Sequence, residues 1–352
     1  MAKKKKKAFI IKIIISFIVI SLIITAFTFY NYYQKVYNPN VNLNKKQSVY
    51  FFIPTGSDLN DVINLLYSEN YIIDRASFEW VAEKKNYGSH INPGRYLIKN
   101  GISNNELINL LRSGKQDPVK VTFNTIRNIE QLAGKVTKNL ECDSVEVITF
   151  LTDKEFISKY GFNSTTIITM FIPNTYEFYW NTSAEQFIIR MSDEYKNFWT
   201  NERKNKANKL GLSQSETSTL ASIVQEETIK NDEKPTVAGV YINRLKKNMP
   251  LQADPTIKFA LGDFTIRRVL KKHLKIDSPY NTYKYTGLPP GPICLPSISS
   301  IDAVLNYEDH NYIFFCAKED FSGYHNFAKT LSQHNINARR YQQELNKRKI
   351  MK

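Results

Sequence analysis

The stretch Thr219–Thr228, with the sequence TLASIVQEET, decides how the chain is organised. Leu220, Ile223 and Val224 recur at helical spacing, which predicts the buried face of an α-helix. Position 227 lies about two turns beyond Leu220 and falls on the same face, where the chain carries a glutamate. The preceding residue, Glu226, is rotated by about 100° and points away from that face.

Glu227 is therefore a carboxyl group on an apolar helix face. Such a group is costly to ionise, so we expect the pKa of Glu227 to be raised. A glutamic acid that is still protonated near neutral pH can deliver a proton to a leaving oxygen, which makes Glu227 the candidate catalytic residue. This stretch alone leaves open a buried structural ion pair, or a helix that frays before residue 227.

Composition limits the class of protein. The chain has 352 residues and a net charge of +15, of which six lysines at positions 3–7 and 12 belong to an N-terminal anchor. A mildly basic remainder suits an anionic polymer or a membrane surface, and no nucleic-acid-binding motif is present, so we expect no nucleic-acid partner. The three cysteines lack metal-ligand spacing; we expect buried free thiols, with one bridge as the alternative.

The N-terminus has the pattern of a membrane anchor. Five consecutive lysines, Lys3–Lys7, precede the stretch Ala8–Tyr30, which is apolar or small apart from Lys12. The 17 uncharged residues Ile13–Phe29 would span about 25 Å as a helix. With Lys12 snorkelling towards the headgroups, the span covers the hydrocarbon core.

We therefore predict that residues 1–33 are a cytoplasmic tail and a single transmembrane helix in the plasma (inner) membrane. The lysine run fixes the N-terminus in the cytoplasm and places the rest of the chain on the outer (periplasmic) side. A cleaved signal peptide is the alternative, but the bulky Phe29–Tyr33 does not resemble a cleavage site.

Residues 34–48 are predicted to be a linker, and residues 49–124 a small α+β module. The order strand, helix, helix, strand over residues 49–98 resembles the LysM module, which binds sugar polymers. A small α+β spacer that holds the rest of the chain off the membrane is the alternative.

Residues 125–345 are predicted to form the larger domain, also of α+β class. Its run of aromatic residues from Phe171 to Trp180 could form one wall of a carbohydrate groove, because sugars stack on aromatic faces; Tyr176 is our candidate there. Packing of these rings in the core is the alternative.

Polar loops punctuated by proline follow the key helix at residues 251–256, 280–283 and 287–293. Rigid loops are useful places for binding groups, although the same side chains can serve the turns of the loops themselves. The candidate substrate-binding residues in these loops are Gln252, Asp254, Thr256, Asn281, Thr282 and Tyr283. We expect no metal and no cofactor, because His325 and His334 have no partner at ligand spacing and no phosphate-binding loop is present.

Five motifs occur in one order and carry a family resemblance. They are Ala221–Thr228 (ASIVQEET), Val240–Leu245 (VYINRL), Leu251–Thr256 (LQADPT), Tyr280–Tyr283 (YNTY) and Gly287–Ile293 (GLPPGPI). With the N-terminal anchor, this pattern resembles the endolytic murein transglycosylases of the MltG (YceG-like) type. The resemblance implies a YceG-like α+β catalytic domain and identifies the catalytic acid as Glu227, the third residue after the Ile-Val pair.

The chain departs from the family pattern at four positions. Many members have a second glutamate at Gln225, and they tend to have aspartate at Asn174, asparagine at Leu295 and glycine at Ser297. The amide at position 225 excludes that residue as the acid, and the other three departures concern the groove and not the reaction.

The activity implied by the resemblance is cleavage of the β-1,4 bond between N-acetylmuramic acid and N-acetylglucosamine within a nascent glycan strand. The product would carry a 1,6-anhydro end, and cleavage could terminate strand elongation. Glycan strands and the cell-wall synthases of the membrane are the expected partners. Two alternatives remain: a non-catalytic scaffold that binds peptidoglycan, and a muramidase that uses water. The second becomes serious if Asp254 or Glu226 faces Glu227 across the groove.

Overall fold

A computed structural model describes residues 1–124, 126–266 and 268–348. Within these ranges the α-helices are α1 Ala2–Tyr37, α2 Leu59–Ser68, α3 Arg75–Lys84, α4 Asn104–Arg112, α5 Ile129–Thr137, α6 Ser144–Thr152, α7 Lys154–Ser158, α8 Ala184–Phe198, α9 Asn201–Lys209, α10 Gln214–Glu227, α11 Lys234–Lys246, α12 Asp254–Leu261, α13 Ile298–Leu305 and α14 Leu331–Lys347. The strands are β1 Ser48–Ile53, β2 Gly94–Lys99, β3 Val119–Phe123, β4 Asn174–Phe178, β5 Phe314–Ala317 and β6 His325–Ala328. The predicted α+β class is confirmed.

Helix α1 is long and apolar enough to cross a membrane. It has 36 residues, none of them buried by the protein, and within the described ranges it is the one helix with the length and composition of a span. Its C-terminal part contacts α3 and α4: Tyr32 stacks on Trp80 with ring centroids 5.2 Å apart, and the Lys35 carbonyl accepts a hydrogen bond from Asn104.

The chain divides into two compact units, and the first comprises Met1–Val119 with Phe178–Asn181. Its sheet is the antiparallel pair β1–β2, with Ser48 opposite Lys99 and Ile53 opposite Gly94. The order strand, helix, helix, strand is as expected over 49–98; a sugar-binding role for this module stays a prediction. Side-chain caps mark the starts of two of its helices: Ser103 and Glu106 form a capping box at α4, and Asp58 caps α2.

The segment 34–48, predicted to be a linker, is built into this first unit. Helix α1 continues to Tyr37. Val41 and Leu43 are 2% and 3% exposed in the core that β1 and β2 share with helices α2–α4. Asn40 donates from its side-chain amide to Asn104 and to the Asp74 carbonyl. The expectation was wrong because two apolar residues among asparagines are enough to fix a short extended segment.

The second unit comprises Lys120–Glu177 and Thr182–Lys352. Helix α10 lies at its centre and packs against α11, α12 and α13, and residues 217–224 of α10 are buried on all sides. Strands β5 and β6 form an antiparallel hairpin against which α14 packs. Residues 145–151 are helical, within α6. The three cysteines are free, but only Cys294 is fully buried, so the expectation of three buried thiols is partly wrong.

Candidate functional site

Helix α10 carries Glu227 to the edge of the buried core. A capping box starts the helix, where the Ser213 hydroxyl accepts a hydrogen bond from the Glu216 backbone amide. The buried face runs through Leu220, Ile223 and Val224, and Glu227 is the last residue of the helix. The helical spacing therefore places its carboxyl group where the core meets the surface.

The Glu227 carboxyl group lies in surroundings that favour its protonated form. Protein atoms surround it closely, although the residue keeps some solvent contact. This burial raises the pKa of Glu227 from 4.5 to about 7, and the negative charge of Asp254 adds to the effect. The Tyr241 hydroxyl donates to Glu227 Oε1 at 2.6 Å, which lowers the pKa by a smaller amount. Because Oε1 accepts this bond, Oε2 is left to carry the acid proton.

Glu227 opens into a pocket of about 340 Å³. The pocket is formed by α10, α11, the loop before α12, the 280–283 loop, β5 and the start of α14. Its lining residues are Glu227, Tyr241, Arg244, Leu251, Gln252, Asp254, Tyr283, Phe314, Phe315, Leu331 and His334. The pocket therefore combines carboxyl groups, a guanidinium group and an aromatic wall, a mixture suited to a polar ligand with apolar faces.

Three of the predicted binding residues line this pocket. Gln252 has a left-handed backbone, with φ of 54°, and its amide N–H donates to the Thr282 carbonyl. Asp254 begins α12 and accepts a 2.5 Å hydrogen bond from the Tyr283 hydroxyl. Gln252, Asp254 and Tyr283 therefore remain candidate substrate-binding residues.

Three other predicted binding residues lie outside the pocket. Thr256 and Thr282 are buried and share a hydrogen bond of 2.9 Å between their hydroxyls. Asn281 is fully buried and donates from its side-chain amide to the carbonyls of Leu274 and Ile276. The expectation that they contact a sugar is corrected, because all three side chains satisfy the backbone of the loops, the alternative that the sequence left open.

Tyr176 is likewise a core residue. It is 7% exposed, its hydroxyl donates to the Ile172 carbonyl at 2.7 Å, and its ring stacks on Phe123 with centroids 5.5 Å apart. Tyr176 does not line the pocket, so its predicted role as a groove wall is corrected to core packing.

The residues next to Glu227 on α10 point elsewhere, as helical geometry requires. Glu226 forms an ion pair with Arg127 at 3.2 Å. Gln225 donates to the Leu295 carbonyl at 3.2 Å and accepts from the Ser297 amide at 2.5 Å. A glutamate at position 225 could not donate to Leu295, so the amide, a departure from the family pattern, ties α10 to the loop before α13.

Sequence reasoning missed the role of Tyr241 and Arg244, which face the pocket from α11. They lie three residues apart on one predicted helix, a spacing that puts both side chains on the same face and could have indicated them. His334 and Phe314 come from the C-terminal part of the chain, where the rings stack with centroids 5.3 Å apart. Burial and the Arg244 charge lower the pKa of His334.

Other candidate sites are less suited to chemistry. Among the described residues, no three or more His, Cys, Asp or Glu side chains are grouped to hold a metal ion. The sequence showed no partner for His325 at ligand spacing, but its backbone amide donates to the Glu233 carboxylate at 2.7 Å and its Nδ1 pairs with the same carboxylate at 2.7 Å. A hollow of about 550 Å³ beside residues 54–68 is lined by one acid, Asp61, which is engaged in the cap of α2.

A half-buried glutamic acid that opens into a polar pocket is an arrangement suited to general acid–base catalysis. Comparison with known proteins gives the family: the model of the YceG-like family matches residues 51–340. The chain belongs to the YceG-like family, as its resemblance in sequence indicated.

Named relatives and a solved structure support this family assignment. The chain is 32% identical over 316 residues to the endolytic murein transglycosylase of Bacillus subtilis (strain 168), covering 86% of this chain and 87% of that protein. It is 27% identical over 340 residues to the endolytic murein transglycosylase of Streptococcus pneumoniae (strain R6), spanning 60% of that longer protein. The 2.6 Å crystal structure of the YceG-like protein lmo1499 from Listeria monocytogenes matches with a TM-score of 0.53 and 29% identity, over 83% of this chain and 99% of that one.

Proposed function

We propose that this protein is a membrane-anchored endolytic murein transglycosylase with Glu227 as its catalytic acid. The observation that carries the proposal is the position of Glu227 at the wall of a polar pocket, where burial raises its pKa to about 7. Membership of a family whose relatives are named endolytic murein transglycosylases supports the choice of substrate.

One carboxyl group suffices for this reaction. Glu227 donates its Oε2 proton to the glycosidic oxygen as the bond from that oxygen to C1 of N-acetylmuramic acid breaks. The resulting carboxylate then takes the proton of the muramic C6 hydroxyl, whose oxygen attacks C1 and closes the 1,6-anhydro ring. The proton returns to Glu227, no water is consumed, and the second strand leaves with a free 4-hydroxyl group.

A hydrolytic muramidase is the second candidate, and one observation favours it. Asp254 lines the same pocket as Glu227, and its charge contributes to the raised pKa of Glu227. A second carboxylate could activate a water molecule for attack at C1, as in glycosidases that use two acids. Two features oppose this role: one Asp254 oxygen already accepts from Tyr283, and Glu226 is held outside the pocket by Arg127.

Analysis of the cleavage products tests both candidates. The full-length protein in detergent is incubated with purified peptidoglycan sacculi, and the released fragments are analysed by mass spectrometry. Anhydro ends are lighter than reducing ends by one water, so their ratio separates a transglycosylase from a muramidase. Glu227→Gln is expected to abolish both products while the protein stays folded.

The matched control is Glu226→Gln, which makes the same chemical change one residue away in a partly exposed ion pair. This variant is expected to keep its activity. Full activity in Glu227→Gln would overturn the proposed function. Binding of glycan without products from the wild-type protein would indicate the non-catalytic scaffold instead.

The proposed function also predicts on which side of the membrane the catalytic pocket lies. Helix α1 is suited to anchoring the chain in a membrane, and the lysines at its N-terminal end favour the cytoplasmic side. The pocket would then lie on the outer side, where glycan strands and cell-wall synthases meet it. Protease protection of spheroplasts, with a tag at either end of the chain, measures this orientation directly.

A further inference from the structure

Arg244 is a nearly buried cation whose donors are only partly used. The residue is 7% exposed. Nε donates to the Ile313 carbonyl at 2.7 Å, and Nη1 donates to the Leu251 carbonyl at 2.8 Å, with longer contacts to Pro250 and to the Gln252 side chain. These bonds fix the plane of the guanidinium group between α11, the loop before α12 and the segment that leads into β5.

The remaining nitrogen, Nη2, has no hydrogen-bond partner among the described residues. The fully buried side-chain atoms without a partner do not include Nη2. It therefore keeps solvent contact. Because Arg244 lines the pocket, that contact is with the pocket. The guanidinium group thus presents two N–H donors to the same space that Glu227 and Asp254 face.

Neither carboxyl group of the pocket uses these donors in an ion pair. Within the part of the chain that the structure describes, no carboxylate oxygen lies within ion-pair distance of Arg244. Glu227 accepts from Tyr241, and Asp254 accepts from Tyr283. A guanidinium group held this rigidly in a pocket is preorganised to donate to a ligand, and an oxygen with high negative charge is the strongest acceptor for it.

We propose that Arg244 is a substrate-binding residue that donates from Nη2 to a carbonyl or carboxylate oxygen of the glycan strand, in the N-acetyl or lactyl group of the sugar next to the bond that is cut. This inference rests on the proposed function for the identity of the ligand. The rigid plane of Arg244 would orient the strand relative to Oε2 of Glu227, so the contact would contribute mainly to binding.

The test measures binding separately from cleavage. The full chain carrying Glu227→Gln, which is expected not to cut, is titrated in detergent with a peptide-free tetrasaccharide of alternating N-acetylglucosamine and N-acetylmuramic acid. Isothermal calorimetry gives Kd. Adding Arg244→Met or Arg244→Lys is expected to raise Kd by about 10- to 100-fold, because a hydrogen bond from a charged donor is lost or misdirected.

Lys246→Gln is the matched control, since Lys246 is a basic residue on the same helix whose ammonium group contacts the hydroxyl and the ring of the half-buried Tyr307. This control is expected to leave Kd unchanged. Melting temperatures show that each variant is folded, and Arg244→Lys keeps the charge if Arg244→Met does not fold. In the active protein, Arg244→Lys is expected to raise KM more than it lowers kcat.

A folded Arg244 variant with unchanged Kd and KM would overturn the inference and leave Arg244 a purely structural brace. Failure of the parent protein to bind the tetrasaccharide would overturn it as well. A wild-type protein that binds but does not cut refutes the proposed function instead, and the loss of binding in the Arg244 variants would still support the contact.

Discussion

Replacing Glu227 by glutamine should make the protein more stable, and more so as the pH rises. Burial raises the pKa of Glu227 from 4.5 in the unfolded chain to about 7 in the folded protein. The folded state therefore binds the proton more tightly than the unfolded state. The stability that this proton contributes is fully present below pH 4.5, and it is lost as the pH rises to about 7.

The size of this loss of stability follows from the pKa shift of Glu227. Each pKa unit corresponds to about 1.4 kcal/mol, so ionised Glu227 lowers the free energy of unfolding by roughly 3 kcal/mol. Glutamine does not ionise, and its side-chain oxygen can still accept from Tyr241. The melting temperature of Glu227→Gln should therefore exceed that of the wild-type protein by on the order of 6–12 °C at pH 8.5, with most of the difference gone at pH 5.

Differential scanning calorimetry of the full-length protein in detergent measures both melting temperatures across this pH range. Glu226→Gln serves as the control, because Glu226 is a partly exposed ion-pair partner and its replacement should change stability by about 1 kcal/mol or less. A difference between Glu227→Gln and wild type that does not depend on pH would refute the reasoning, since it would mean that Glu227 titrates normally.

Three further outcomes follow from the site. The kcat/KM of the wild-type protein should be constant at mildly acidic pH and fall tenfold per pH unit above about 7, because only protonated Glu227 can act as the acid; a rate that rises from pH 6 to 8 would contradict this role. Tyr241→Phe removes a hydrogen bond that favours the Glu227 carboxylate, so the same pH–rate measurement should show this alkaline limb displaced to higher pH. Gln225→Glu loses the donor to the carbonyl before α13 and should lower the free energy of unfolding by about 1–3 kcal/mol, measured as a lower melting temperature; an unchanged melting temperature would show that the amide is dispensable.

The sequence was a good guide where local rules decide the structure. The Ser-x-x-Glu patterns that begin at Ser103 and Ser213 are capping boxes at the starts of α4 and α10. Helical spacing from Leu220 placed Glu227 on the right face. These features depend on neighbours within one or two turns, so a single chain reveals them.

The sequence was a poor guide where tertiary contacts decide the structure. A polar loop residue can serve a ligand or its own backbone, and Asn281 and Thr282 serve the backbone because buried carbonyls and amides must be paired. The partners of Glu227 come from another helix, at Tyr241 and Arg244, and the pocket is completed by His334, more than a hundred residues along the chain. No local sequence pattern predicts that these distant residues lie together.

The most direct test is a measurement of the protonation of Glu227 itself. Infrared difference spectra between the wild-type protein and Glu227→Gln, recorded from pH 4 to 9, isolate the carbonyl stretch of this one protonated carboxyl group. The account predicts that the band persists at pH 6 and disappears with a midpoint near pH 7. A band already lost by pH 5 would contradict it, because Glu227 would then be a carboxylate at neutral pH with no proton to give.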